Sequence, residues 1–315
     1  MSASPVPSPR ETTVVLGHEE AEARFRAARE SGRLHHAWLL TGPPGIGKAT
    51  LAFRLARLLL DATEGAAARR VSAGTHGDLL VIARSFDEKR QRARAEIVLD
   101  DVRPLQSFLH HTAAEGGWRV VILDGAEYLN RSAANAVLKL LEEPPERTVI
   151  FLVTSAPGAL LPTIRSRCRR LALTPLDENT MEQALVSMGY DRQEIDRLLP
   201  VSHGAPGRAV YLGQDHDGKA AALAGRWLNG GATQATPEEA ERILRQDDGF
   251  ALLCDLLGEG LIDRGRLRAA RDDITGAARA GAAYAALMEL RRETERFNLD
   301  KAQATLQAAA IVSES

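Results

Sequence analysis

The sequence predicts an α/β domain built on a parallel sheet, followed by a smaller helical domain and a C-terminal region that is helical throughout. Three observations carry that prediction. A glycine-rich loop, Thr41-Gly42-Pro43-Pro44-Gly45-Ile46-Gly47-Lys48-Ala49-Thr50, lies between a short apolar run and a helical pattern. Continuous apolar runs, the kind buried on both faces of a parallel sheet, alternate with helical segments up to about Pro175. Beyond Pro175 strand-like runs vanish.

Residues 1–10 are rich in Ser and Pro and contain no apolar core segment, so they read as a disordered tail rather than a signal peptide. Residues 18–30 form a charged amphipathic helix closed by Ser31-Gly32. Residues 37–41 are the strand that feeds the glycine loop, and residues 48–60 the helix that leaves it. A second strand, DLLVIA, is expected at 78–83, and residues 86–95 read as a charged, solvated excursion. Asp100 is placed to N-cap a helix running to about residue 112. RVVILD at 119–124 and TVIFLVT at 148–154 are buried strands. The helix between them, 132–143, lines up Ala134, Val137, Leu138 and Leu141 on one side and is stopped by Pro144-Pro145.

A last short strand is expected at 170–173, after which helical patterns fill 178–188, 192–199 and 205–212. Residues 213–218, Gly-Gln-Asp-His-Asp-Gly, read as a linker. The remainder is helix, with breaks expected at 229–235 and near Gly258-Glu259-Gly260. The boundaries that follow are a tail at 1–10, an α/β domain at 11–175, a small helical domain at 176–214 and a helical domain at 215–315.

At 315 residues, 44% apolar and 26% charged, the chain has the length of two or three domains and an ordinary soluble composition. A net charge of −2 argues against a strongly cationic nucleic-acid binder. Cys168 and Cys254 are the only cysteines, which excludes a disulfide framework or a four-cysteine zinc site and fits a cytosolic compartment. No apolar run approaches the ~18 residues that a membrane span needs.

The loop fits G-x-x-x-x-G-K through Gly42, Gly47 and Lys48, with Gly45 inside it. Glycines let backbone amides curl round a polyphosphate, and the lysine places a point charge on its β/γ oxygens. The next residue should carry the hydroxyl that ligates Mg²⁺, and here it is Ala49. Thr50 holds a hydroxyl one position late, about 100° round the helix, so it is expected to point away from the metal. Asp124 ends a strand where a nucleoside triphosphatase places a carboxylate for the metal. The acid that would orient the attacking water is replaced by Gly125, and Glu127 is expected to fall short.

Those losses remove metal positioning and water activation together, each normally worth several kcal/mol of transition-state stabilisation. Little or no intrinsic ATPase is therefore the expectation, with the pocket either vestigial or binding ATP or ADP without turnover. The alternative is an active ATPase motor in which Thr50 and Glu127 replace the missing groups. Arg165, Arg167, Arg169 and Arg170 read either as a solvated basic face or as the source of an arginine finger for a neighbouring subunit's γ-phosphate. Arg208, within Gly204-Ala205-Pro206-Gly207-Arg208-Ala209, opens a helix and reads as a surface arginine or as one that approaches a nucleotide. The eight histidines show no metal spacing with Cys, Asp or Glu.

The chain resembles the delta-prime subunits of the bacterial DNA polymerase III clamp loader, a family of AAA+ proteins. The resemblance rests on residues 33–42 (RLHHAWLLTG), the glycine loop, 76–82 (HGDLLVI), 133–145 (AANAVLKLLEEPP), 160–168 (LLPTIRSRC) and 204–209, and covers roughly residues 14–212. It implies an AAA+ domain at 11–175, a helical lid at 176–214 and a helical collar at 215–315 that joins a five-subunit ring. Such subunits stand beside ATP-hydrolysing tau/gamma subunits as a rigid stator. The implied partners are tau/gamma and delta subunits and, through the complex, the sliding clamp and primed DNA during replication in the cytoplasm, with no membrane.

The implied roles are Arg167 as an arginine finger acting in trans, Thr154 as the sensor-1 position with Ser155 as the alternative, and Arg208 as sensor 2. DNA-directed DNA polymerase activity would hold only through the holoenzyme. Ala49 and Gly125 favour the stator over the motor. A stand-alone DNA-binding AAA+ adaptor is a third reading, disfavoured by the near-neutral charge. Family members often carry a cysteine-ligated zinc module between the glycine loop and the Asp124 strand. Residues 51–118 contain no cysteine, so no zinc is expected.

Overall fold

A computed structural model describes residues 8–87, 92–110, 113–115, 117–213, 218–244, 249–297 and 299–315. The chain forms two compact units, Met1–Val210 and Tyr211–Ser315. The first opens with α1 (Glu19–Glu30), β1 (Ala37–Thr41), α2 (Lys48–Leu59), α3 (Gly65–Ala73) and β2 (Leu79–Ile82). A short hairpin, β3 (Phe86–Asp87) and β4 (Arg92–Ala93), leads to α4 (Leu99–Val102), α5 (Pro104–His110) and β5 (Arg119–Asp124). Then come α6 (Arg131–Glu142), β6 (Thr148–Thr154), α7 (Pro162–Ser166), β7 (Arg169–Ala172), α8 (Glu178–Ser187), α9 (Arg192–Leu198) and α10 (Pro206–Gly213).

The main sheet has five strands in the order β2-β5-β6-β1-β7, every neighbouring pair parallel. Parallel strands need crossover connections, and the helices supply them on both faces. Strand alternation divides the core between those faces. Trp38 and Leu40 of β1 join Phe25, Leu51, Leu55, Ile122 and Phe151 on one side. Ala37 and Leu39 join Val121, Leu152, Val137, Leu141 and Ile164 on the other. Phe25 sits edge-on to Trp38 at 5.1 Å and tilted against Phe151 at 5.5 Å, so α1 is pinned to the middle of the sheet. Each fully buried side chain of this size contributes about 1.5–3 kcal/mol.

Several local expectations are revised. The helix expected from Asp100 to about residue 112 is two helices. Val98 is the N-cap, Asp101 accepts the Val98 N–H at 2.9 Å, and Pro104 starts the second helix because it has no N–H to continue the first. Residues 111 and 112 lie outside the described residues. Residues 86–95, read as an excursion, contain the short hairpin, with 88–91 outside the described residues. Of the expected tail, residues 1–7 lie outside the described residues. Ser8 to Glu11 form a turn, and the Arg57 guanidinium donates to the Arg10 carbonyl at 2.6 Å, holding that backbone against α2.

The second unit is helical: α11 (Lys219–Leu228), α12 (Pro237–Leu244), α13 (Gly249–Ala269), α14 (Ile274–Phe297) and α15 (Lys301–Ser313). The expected break at 229–235 holds a single 3₁₀ turn, Gly231–Gln234. The one expected near Gly258-Glu259-Gly260 is absent, and α13 runs straight through it. Its glycines are there for packing. A methyl added to Gly258 would meet Met288 Cε at 3.0 Å, and one added to Gly260 would meet Leu228 Cδ1 at 2.1 Å. The junction expected at 214/215 lies outside the described residues. Cys254 is buried here and Cys168 half-buried in the first unit; both are free thiols that burial pushes up to about 12. Among the described residues, no helix is long and apolar enough to cross a membrane.

Candidate functional site

Strand register builds the site. Thr41 of β1 is level with Thr154 of β6, and Asp124 of β5 is level with Val153, so the loops leaving three strands open at one edge of the sheet. They border a cavity of about 870 Å³. Gly45, Gly47, Lys48, Ala49 and Thr50 reach it from the first loop, Asp124 and Glu127 from the second, and Thr154 and Ser155 from the third. Val14, Val15, Leu176, Met188 and Val210 give it an apolar wall. His18, which sequence reasoning passed over, fastens the segment before α1 to the glycine loop through a 2.7 Å hydrogen bond between Nε2 and the Ile46 carbonyl.

Lys48 begins α2 and is 6% exposed. Its ammonium donates to the Gly42 carbonyl at 2.9 Å, the Pro43 carbonyl at 2.7 Å and the Ser155 hydroxyl at 2.8 Å. An ammonium has three N–H donors, so all are engaged within the protein. Burial lowers its pKa below the ordinary lysine value, against the opposing pull of the Glu127 and Asp124 charges. A polyphosphate entering this loop has to take Lys48 away from at least one of these partners. Ala49 and Thr50 both border the cavity.

The acids correct one expectation. Glu127 does reach the site. Gly125, at φ +80°, sends the chain into a 3₁₀ turn, Ala126–Tyr128, that folds back over the strand ends. A side chain at 125 would be strained in that conformation and would strike the Tyr128 ring at 2.8 Å. Glu127 Oε1 accepts the Ser155 N–H at 3.0 Å, and its Oε2 is buried without a hydrogen-bond partner among the described residues. Burial, then the neighbouring Glu127 charge, raises the Asp124 carboxyl above its usual range, with Lys48 and Arg84 pulling the other way. Arg84 lies 3.9 Å over the Tyr128 ring at the cavity border, another feature with no local signal in the sequence.

Of the two residues at the end of β6, Ser155 presents its hydroxyl to Lys48, whereas the buried Thr154 hydroxyl accepts the N–H of Ala156 at 3.1 Å. Gly207 at the start of α10 donates its N–H to the Gly45 carbonyl at 2.8 Å, so this helix rests on the glycine loop. Arg208 donates through Nε to the Val201 carbonyl at 2.6 Å and is not among the residues that border the cavity. Arg167 lies apart from the cavity with its side chain 37% exposed, paired with Glu142 at 2.9 Å.

The arrangement fits a polyphosphate in shape and a divalent cation only in part. Loop glycines, Lys48 and the apolar wall suit a nucleotide, while Ala49 leaves Asp124 and Glu127 without the hydroxyl that normally completes the metal's ligands. Among the described residues no cluster of three or more His, Cys, Asp or Glu is placed to hold a metal.

A parallel five-stranded sheet with a lysine-bearing glycine loop at its carboxyl edge, followed by helices, defines the P-loop class of the AAA+ type. A DNA polymerase III gamma subunit-related protein of Thermotoga maritima shares the fold, with a TM-score of 0.52 at 19% identity over 93% of this chain and 98% of that one. The sequence profile of the family described as DNA polymerase III, delta subunit, matches residues 17–177, and the chain belongs to that family.

Among its relatives, the delta′ subunit of Pseudomonas aeruginosa DNA polymerase III is 40% identical over 187 residues, 56% of this chain and 55% of the relative. The gamma/tau subunit of Mycobacterium bovis is 33% identical over 175 residues, 54% of this chain and 30% of the relative. The chain spans about half the length of the curated delta′ relative it matches.

Proposed function

We propose that the chain is a delta-prime-type clamp-loader subunit that does not hydrolyse ATP itself. In this reading it works in the cytoplasm as a stator beside tau/gamma and delta subunits, residues 11–175 acting as the ATPase-like domain, 176–214 as a lid and 215–315 as a collar. It presents Arg167 to the ATP of a neighbouring subunit and so helps to load the sliding clamp onto primed DNA. One observation carries this reading. The lysine of the glycine loop is saturated by protein acceptors beside an alanine, while the candidate finger stands on the surface, away from the chain's own cavity. The similarity to delta′ and gamma/tau subunits supports membership of the same complex.

A finger arginine is worth roughly 10³–10⁵ in rate at the site it serves. In a complex reconstituted with the neighbouring ATPase subunits, Arg167→Ala should abolish hydrolysis at that site while assembly is retained. Normal hydrolysis by the Arg167→Ala complex would overturn the finger role.

A second reading, an active ATPase motor, is favoured by Glu127 reaching the cavity with one carboxylate oxygen unpartnered among the described residues. Steady-state phosphate release by the isolated chain separates the two. Turnover that Lys48→Ala abolishes would establish the motor, and release at background level supports the stator.

A further inference from the structure

The guanidinium of Arg167 is held at two points. Nη1 donates to the Thr163 carbonyl at 3.1 Å, and Nη2 lies 2.9 Å from Glu142 Oε1. These anchors belong to different elements, since Thr163 is in α7 and Glu142 is the last residue of α6. The two elements are fixed to each other by the core. Leu141, beside Glu142, and Ile164, beside Thr163, are buried in one cluster, with Val137 and the flank of Cys168 packed into it. The carboxylate therefore occupies a set place relative to the residue it holds.

Donor arithmetic shows what the anchors leave open. A guanidinium carries five N–H donors in one plane. The Thr163 contact engages one Nη1 donor, and the Glu142 carboxylate stands beside Nη2 as an ion pair, so among the described residues Nε–H and the second Nη1 N–H remain for an incoming phosphate. A long side chain fixed in this way has already lost the rotamer freedom it would otherwise lose when a ligand arrives. Both partners are partly exposed, 37% for Arg167 and 50% for Glu142. The value of the pair therefore lies in its geometry rather than in Coulomb energy, which water screens.

We propose that Glu142 is a positioning residue: it sets the direction in which Arg167 leaves the surface, so that its free N–H edge faces a neighbouring molecule's phosphate. The proposal rests on the reading of Arg167 as a finger acting in trans, and its test separates the two claims.

Complexes reconstituted with the ATP-hydrolysing neighbours would carry wild-type chain, Glu142→Ala, Arg167→Ala or both substitutions, with assembly checked by gel filtration and kcat and KM for ATP measured. Glu142→Ala is expected to lower kcat about fivefold at unchanged KM, with Glu142→Asp recovering part of the loss. In the Arg167→Ala background the Glu142 substitution should change nothing further. A kcat for Glu142→Ala at or above wild type, with Arg167→Ala still inactive, would discard the positioning role and keep the finger. The same fractional loss in both backgrounds would make Glu142 merely structural. Wild-type hydrolysis by Arg167→Ala would remove both claims.

Discussion

Asp124 shows how one side chain sets a pH dependence. Burial and the Glu127 charge raise its carboxyl, so the folded protein binds that proton more tightly than the unfolded chain does. The resulting stability is complete below the ordinary aspartate range and is lost as pH rises through the raised value. Asp124→Asn removes that loss. Its melting temperature should exceed wild type by a few degrees at neutral pH and converge with it below about pH 4. Thermal melts across that range test this, and a constant offset at every pH would contradict it. Asp124 and Lys48 were legible in the sequence because strand–loop–helix order announces them. Glu127 was not, because its approach depends on a left-handed Gly125 and on an amide supplied by residue 155. Ser155 and Thr154 are adjacent in the chain, and only the direction each hydroxyl takes distinguishes them.

Elements were most legible where one physical rule acted alone. The apolar runs at β1, β5 and β6 are buried on both faces, and periodicity finds such strands directly. Breaks were less legible, because a glycine inside a helical pattern has two meanings. In α13, Gly258 and Gly260 mark close crossings rather than an end. Gly260→Leu should therefore cost about 1–3 kcal/mol through overpacking against Leu228. Among the described residues Gly281 in α14 meets nothing within 4 Å, and Gly281→Ala should instead stabilise the protein by about 0.5–1 kcal/mol. Chemical denaturation of the pair tests both signs, and equal effects would refute the distinction. The divided helix at α4 and α5 escaped notice for a related reason: an acid at 100 looks like a cap, yet the reaching carboxylate is Asp101 and the cap residue is Val98.

At the scale of the whole molecule, the first unit is where sequence and structure agree most closely, because a sheet with crossovers admits few arrangements. The second unit was read only as helical, since helix pairing depends on which faces meet, which composition does not encode. The two thiols add a property of the entire chain. With each pushed up to about 12, the reactive thiolate at pH 7 is about one part in 10⁵. The unaltered protein should therefore take up almost no maleimide within minutes at neutral pH, and mass spectrometry of the treated chain measures it. Rapid double labelling would show the thiols to be open. That inertness makes the native polypeptide a silent background for covalent dyes. A Ser166→Cys variant, next to Arg167 and exposed, would carry a lone fluorophore whose quenching or energy transfer reports when another macromolecule draws near.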